Sequence, residues 1–432
     1  MKKLLRRLGE GLLAAAILTC ADSAFAINGM YLTGYGTESL LMGGADVAVA
    51  RDAFAATNNP AGMTQLNGQA ADVELAVEHD LSLYHSDSFG NNEKLRSDHH
   101  SEYVNAGYAR RFENSPFAAG AALVVQGGIG WTYSGLNTRF GTRDDASALF
   151  AVVKLAPAVA WQVNDKLSLG AALGVNYFGG TQELFPNTTS GPVPGLPTGF
   201  NGFRFKGASG IGLNSKWGLQ YKLIDDVTIG MTYGTKTSIP MKNGNMRLNL
   251  SNFGLGVVRY DNAKLEGFRL PEELAVGVSF RPVPSVLLSL QEKWYDWSKA
   301  LNTLKLTASS PRGAVPAPFQ KVVISSVADF QDQHVFEIGF AWDMSPETTL
   351  MGGFNYARQP VPTQNISPIF APIPTRHVMA GISRKFDKEW QVTGGLEWFT
   401  PITVTYTNPV FGVDAREHNN TSVFHFSASR RW

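Results

Sequence analysis

Residues 72–83 read Asp72-Val73-Glu74-Leu75-Ala76-Val77-Glu78-His79-Asp80-Leu81-Ser82-Leu83, and the order of these side chains decides the fold. Side chains of a strand point alternately to opposite faces, so Val73, Leu75, Val77, Leu81 and Leu83 share one side. Asp72, Glu74, Glu78, Asp80 and Ser82 share the other. An acidic face is costly inside a dry sandwich core, where unpaired charge must lose its water. It suits a wall with lipid outside and a wet or plugged lumen inside.

The pattern recurs to the end of the chain. Leu167, Leu169, Ala171, Leu173, Val175 and Tyr177 oppose small residues and Asn176. Ile211, Leu213, Trp217, Leu219, Tyr221 and Leu223 oppose Asn214, Lys216, Gln220 and Lys222. Phe424, Phe426, Ala428 and Trp432 oppose His425, Ser427, Ser429 and Arg431. The alternating segments run to ten residues or more, beyond the usual length of a soluble strand.

Between Ala70 and Trp432 the breaks are by turns short and long. The short ones are 113–116, 164–166, 224–226, 281–285, 344–347 and 386–388; the long ones lie near 85–101, 132–146, 179–205, 240–266, 303–332, 359–374 and 403–420. Six short turns and seven long loops predict fourteen antiparallel strands, an all-β transmembrane barrel with tight periplasmic turns and long outer loops. Trp161, Trp342, Trp390 and Trp432 fall at the short-turn side, and Trp131, Trp294, Trp297 and Trp398 at the loop side, as two aromatic girdles would. A final strand ending in an aromatic residue resembles the signal read by outer-membrane assembly machinery.

The start of the chain agrees with that compartment. Lys2, Lys3, Arg6 and Arg7 precede an apolar stretch at 12–18 and then Ala24-Phe25-Ala26, so residues 1–26 read as a Sec-type signal peptide cut after Ala26. Ile17-Leu18-Thr19-Cys20 resembles a lipoprotein site, but Thr is a poor residue before a lipidated Cys. After cleavage the chain has no Cys, hence no disulfide and no thiol chemistry. The signal's four basic and two acidic residues take two positive charges from the total of +1, leaving −1 and no basic footprint for nucleic acid. Mean hydropathy is −0.09 with no long apolar run, which argues against helical spans.

Residues 27–67 do not alternate. They are rich in Gly and Ala, and their small apolar content predicts a segment packed inside the lumen, followed by the barrel at 68–432. Gly34-Tyr35-Gly36, Met42-Gly43-Gly44-Ala45, Asp52-Ala53 and Asn58-Asn59-Pro60-Ala61-Gly62 resemble the N-terminal hatch of the FadL/OmpP1/TodX family, outer-membrane transporters of hydrophobic compounds. Residues 270–277, 294–298 and 157–170 resemble further parts of that family, so the likeness spans nearly the whole mature chain.

The resemblance implies a monomeric passive transporter in the outer membrane of a Gram-negative bacterium, with no cofactor and no metal. It implies capture of long-chain fatty acids, or alternatively aromatic hydrocarbons or alkanes, in a groove between the third and fourth outer loops. It further implies a deeper pocket against the hatch and a side opening at a kinked third strand. Phe185, Leu196, Phe200, Phe203, Met246, Leu248, Leu250 and Phe253 supply apolar side chains for the groove. The same residues fit loops that pack on one another to seal the mouth. Arg204, Lys206 and Arg247 could pair with a carboxylate, or with lipopolysaccharide phosphates. Gly127, Gly128 and Gly130 interrupt the third strand and favour a kink there, or simply its end.

Two rivals remain. A barrel enzyme needs a nucleophile with a base beside it, and no G-x-S-x-G element flanks His99, His100 or His418. A general diffusion porin for polar solutes would keep its lumen clear and have no use for a hatch.

Overall fold

A computed structural model describes residues 28–98 and 100–432. The expected signal peptide, with Cys20, and the loop residue His99 lie outside the described residues.

Fourteen antiparallel strands form the wall. They are β1 (Gln69–Ser86), β2 (His100–Arg111), β3 (Phe117–Ile129), β4 (Arg143–Gln162), β5 (Leu167–Ser190), β6 (Phe200–Ile224) and β7 (Val227–Gly234). β8 (Glu273–Val283), β9 (Val286–Tyr295), β10 (Gln333–Asp343), β11 (Thr348–Ala357), β12 (Arg376–Lys385), β13 (Trp390–Asn408) and β14 (Gly412–Arg431) complete it. β1 pairs with β14 from Ala70↔Arg431 to Ser86↔Arg416, which closes the barrel and leaves no free edge. No helix among the described residues is long and apolar enough to cross a membrane.

The faces follow the alternation. Val73, Leu75, Ile211, Leu213, Phe424 and Phe426 are exposed to the outside, while Asp72, Glu74, Lys216 and His425 are buried within. Leu83 departs from the expected outer face. β1 carries an extra residue between Asp80 and Ser82 in its pairing with β14, so Leu81 points out and Leu83 turns into the lumen.

All six short turns stand where expected, but through two of the long loops the wall strands themselves run on. β5 and β6 run on until only 191–199 connect them, and β13 and β14 until only 409–411 do. Above the bilayer a wall needs no apolar outer face, so these strands lose the alternation and read as polar loop. The upper half of β6 leaves β7 and pairs with an outer strand at Met241–Asn249. Strands Val257–Glu266, Thr303–Pro311 and Lys321–Val327 continue that outer sheet. The short strand Thr132–Asn137 pairs with the top of β4.

Trp161, Trp342, Trp390, Trp398 and Trp432 face outward as girdle residues do. Trp131 and Trp297 instead pack inside the barrel mouth. Both lie in loops, where sequence position near a strand end does not fix which way a side chain points.

Candidate transport pathway

Residues 28–67 lie inside the barrel. They form α1 (Thr37–Leu41), α2 (Ala55–Asn58) and a 3₁₀ turn at Pro60–Gln65. The Asn-Asn-Pro-Ala-Gly stretch is the joint between this segment and the wall. Asn59 Oδ1 accepts from Ala61 N at 3.1 Å and caps the 3₁₀ turn, with Pro60 at its first position, where a missing N–H costs nothing. Asn59 Nδ2 donates to the carbonyls of Val47 and Leu219, at 2.6 and 3.2 Å. Asn58 Nδ2 donates to Tyr35 O at 2.8 Å. Gly218 of β6 and Gly170 of β5 lie so close to Asn59, Pro60 and Ala61 that a side chain at either would collide with them. Gly62 faces Gln220 of β6 and Ala50.

The wall answers with buried polar groups. Thr33 Oγ1 donates to Glu397 Oε1 at 2.9 Å, and Gly36 N to Glu74 Oε2 at 3.3 Å. His425 bridges those two carboxylates, at 3.2 Å from Glu74 and 3.3 Å from Glu397. Across the lumen Lys293 Nζ donates to Glu337 Oε1 at 3.0 Å and to Thr33 O at 3.2 Å. A buried charge without such partners would cost several kcal/mol, roughly 3–5 when one partner of a pair is lost.

The third strand holds the break in the wall. β2 and β3 share a ladder from Arg111↔Ala118 only as far as Ala106↔Leu123. Beyond it β2 stays with β1, up to His79↔His100, and β3 stays with β4, up to Ile129↔Phe150. Gln126 is an extra residue between Val125 and Gly127, a bulge that bends β3 away from β2. The seam closes again higher up, where Ser97 N donates to Thr132 O at 2.7 Å.

Open sheet edges do not face hydrocarbon unless something satisfies their backbone. Here Asn105 Oδ1 accepts from Val125 N at 2.8 Å, a side chain standing in for a ladder bond. From inside, Leu32 N donates to Gln126 O at 3.2 Å, and Tyr31 bridges to Gly127. A side chain at Gly127 would collide with the Met30 carbonyl, so glycine is what lets the inner segment reach the strand. Gly128 pairs with Ala151, and Gly130, at φ 134°, closes on Ala148 where β3 ends.

Above the inner segment a continuous apolar body fills the barrel mouth. Phe185, Phe200, Phe203, Met246, Leu248 and Leu250 are all buried in it, with Trp131, Tyr133, Phe178, Phe268, Trp297 and Phe411. The structure therefore brings six of the eight proposed groove residues together in one packed cluster. Leu196 lies at its margin, and Phe253 is half exposed on the outer surface beside Phe319, at 4.9 Å between rings.

Arg204, Lys206 and Arg247 stand apart from that cluster. They alternate with Phe203, Phe205, Met246 and Leu248 along their strands and so face outward. Arg204 and Lys206 both pair with Glu183, at 2.7 and 3.0 Å. Below the inner segment a polar vestibule of about 1210 Å³ opens toward the short turns, lined by Arg51, Arg111, Lys166, Lys222, Arg281 and Asp343 among others.

Several pathway residues had only a weak sequence signal. Asn105, Lys154 and Glu337 are single polar residues at inward strand positions, visible as such only once register is known. Lys154 is 3 % exposed, sits across the β3–β4 ladder from Val124 at the foot of the break, and has no ion-pair partner among the described residues. Its neighbour Lys216 is paired with Glu273 at 2.8 Å. On the outer wall Ser82 Oγ lies 3.1 Å from His418 Nε2, with Thr403 Oγ1 2.8 Å from Nδ1. A threonine carries no charge to stabilise an imidazolium, so this trio lacks what a catalytic triad needs. The described residues hold no His, Cys, Asp and Glu group arranged for a metal.

The comparisons agree with this architecture. The family model described as "Outer membrane protein transport protein (OMPP1/FadL/TodX)" matches residues 12–431. Among solved structures the chain is similar to the toluene transporter TodX of Pseudomonas putida, with 21% identity, TM-score 0.74 and coverage of 93% of this chain and 99% of that one. It is similar to the toluene transporter TbuX of Ralstonia pickettii, with 19% identity, TM-score 0.73 and the same coverage. A FadL homologue of Pseudomonas aeruginosa matches with 15% identity, TM-score 0.71 and coverage of 93% and 99%. No functionally curated relative matches. At these identities the structural matches speak for the fold alone, a closed β-barrel. The match along nearly the whole sequence settles the rest: this chain belongs to the OMPP1/FadL/TodX family of outer-membrane transport proteins.

Proposed function

We propose that the protein carries long-chain fatty acids passively across the outer membrane and releases them sideways between β2 and β3. Residues 27–67 act as its hatch. The observation that carries this reading is the interrupted ladder above Ala106↔Leu123, backed on the inside by Met30, Tyr31 and Leu32. An apolar solute gains nothing by entering a polar channel, and the vestibule below the hatch is lined mainly by polar and charged side chains. The break opens toward the bilayer, where an apolar solute is stable.

Entry begins at the exposed Phe253 and at Leu196, at the edge of the apolar mouth. The buried rings beneath line the path once the outer loops part. The fatty-acid assignment rests on Lys154, a buried cation at the foot of the break that can pair with a carboxylate. The aromatic packing of the mouth, where Phe178 and Phe268 stack at 3.6 Å, equally suits a monoaromatic hydrocarbon, and this is the second reading.

Mass spectrometry of ligands carried through purification in mild detergent, with uptake by Lys154→Met, separates the two. Fatty-acid transport predicts bound fatty acids and at least about tenfold slower fatty-acid uptake in the variant, one lost charge-assisted contact. Bound aromatics and unchanged fatty-acid uptake would favour the second reading. Empty protein that passes polar solutes would indicate a porin.

A further inference from the structure

The outward face of the extracellular sheet carries a row of four arginines at one level. Arg204 of β6 is directly opposite Arg247, and Arg247 is directly opposite Arg259 on the next strand. Arg312 follows at the sheet's far side, its backbone N–H donating to Arg259 O at 2.7 Å. Like charges in directly opposed positions destabilise a sheet, so such a row has a cost unless anions meet it.

Two carboxylates meet part of it. Glu183 holds Arg204 and Lys206, and Asp261 holds Arg259 at 3.0 Å and Arg312 at 2.6 Å. The hydrogen bond from Arg312 keeps Asp261 below the usual carboxylate range, so it remains charged. Arg247, at the centre of the row, is exposed and has no ion-pair partner among the described residues. Five cations thus face two anions.

The height of the row is set by the wall beneath it. Outward apolar residues on β6 run from Leu223 up to Ile211. At about 3.3 Å per residue and a tilt near 40°, that span covers about 30 Å, the hydrocarbon thickness. By the same geometry Lys206, five residues higher on the strand, stands roughly 13 Å above the apolar band, and Arg204 roughly 18 Å. That is above a phospholipid headgroup layer of about 5–7 Å and at the level of the larger saccharide headgroups of lipopolysaccharide, toward which long side chains can bend.

We propose that Arg204, Arg247, Arg259 and Arg312, with Lys206, form a binding site for the phosphate groups of lipopolysaccharide on the outer wall of the barrel. The guanidinium forks take phosphate oxygens in pairs, and a multivalent anion relieves the repulsion along the row. The site lies on the face opposite the apolar mouth, so it anchors the outer sheet in the leaflet without touching the transported solute.

The test uses full-length protein in nanodiscs made with purified lipopolysaccharide, with its dephosphorylated form, or with phosphatidylglycerol alone. Lipopolysaccharide retained through exchange is measured for the wild type, for Arg247→Gln, and for Arg247→Gln/Arg259→Gln/Arg312→Gln. Lys222→Gln, at the opposite rim, serves as the control. Each lost cation should lower retention about fivefold, while the control and the dephosphorylated lipid leave the contrast clear. Wild-type retention by the triple variant would overturn the proposal. So would equal wild-type retention of the dephosphorylated lipid, or of phosphatidylglycerol.

Discussion

The backbone N–H of Leu32 donates to the carbonyl of Gln126 at 3.2 Å, joining the inner segment to the one residue of β3 that has no place in the ladder. The same carbonyl accepts from Tyr35 Oη, also at 3.2 Å. The bulge that parts β3 from β2 is therefore the bulge that receives the inner segment. On the proposed route, opening the wall and moving the inner segment would be one event, since a solute leaving between β2 and β3 would have to displace residues 30–32.

Gly127→Ala places a methyl group against the Met30 carbonyl. Overpacking of this kind costs about 1–3 kcal/mol and here falls on the contact between residues 30–32 and β3. The variant should expose residues 28–32 to protease added from the periplasmic or vestibular side, with the barrel still resistant to detergent unfolding. Limited proteolysis of the two proteins checks this.

Asn105→Ala removes the acceptor for Val125 N–H and a donor to Glu74 Oε2. An orphaned buried donor costs about 1–3 kcal/mol. Amide exchange at Val125 should accelerate by about tenfold or more, while exchange at Ala119 and Ala121, within the intact ladder, stays slow. Site-resolved hydrogen exchange decides the matter, and equal rates at Val125 would mean Asn105 does not guard the edge.

Glu337→Ala leaves Lys293 buried beside Thr33 and Gly44 without its carboxylate. Loss of one partner of a buried pair costs about 3–5 kcal/mol. Because Lys293 holds the inner segment at the Thr33 and Gly44 carbonyls, the loss should appear as ion conductance past a loosened inner segment before it appears as barrel unfolding. Planar-bilayer recording beside a heat-modifiability gel separates the two effects.

Phe178→Ala removes a ring from the packed mouth, stacked on Phe268. A buried Phe→Ala change costs about 3–5 kcal/mol, local to the cluster that joins the outer loops. If that cluster closes the mouth, solute uptake should rise or hold while the loops become easier to cleave from outside. A sharp fall in uptake with intact loops would instead make Phe178 part of a preformed binding surface.

The wall was legible in sequence because a lipid-facing strand must alternate: Val73 to Leu81 and Ile211 to Leu223 show it directly. The alternation ends where the bilayer ends, and so the upper parts of β5, β6, β13 and β14 looked like loop. The Asn58–Gly62 joint was legible from its turn residues, but its contacts with Gly170 and Gly218 depend on strand register. The glycines of β3 fitted either a kink or a strand end; Gln126, the extra residue in the β3–β4 pairing, carries no signal of its own. Nothing local separated a groove from a seal at Phe185, Phe200 and Met246, because exposure of loop residues is decided by what distant loops bring to them. The outward aim of Arg204 and Arg247 follows from alternation, once those residues are known to be in strands.

Removing Gln126 tests the lateral route most directly. The deletion takes out the extra residue and lets β3 continue its ladder beside β2 without turning other side chains to the wrong face. Uptake of a labelled long-chain fatty acid would be measured in cells carrying equal amounts of folded, heat-modifiable barrel. Release through the gap predicts a fall of at least about tenfold, equivalent to about 1.4 kcal/mol on the limiting step. Unchanged uptake in a barrel whose β2–β3 ladder has been shown by hydrogen exchange to extend past Leu123 would contradict it.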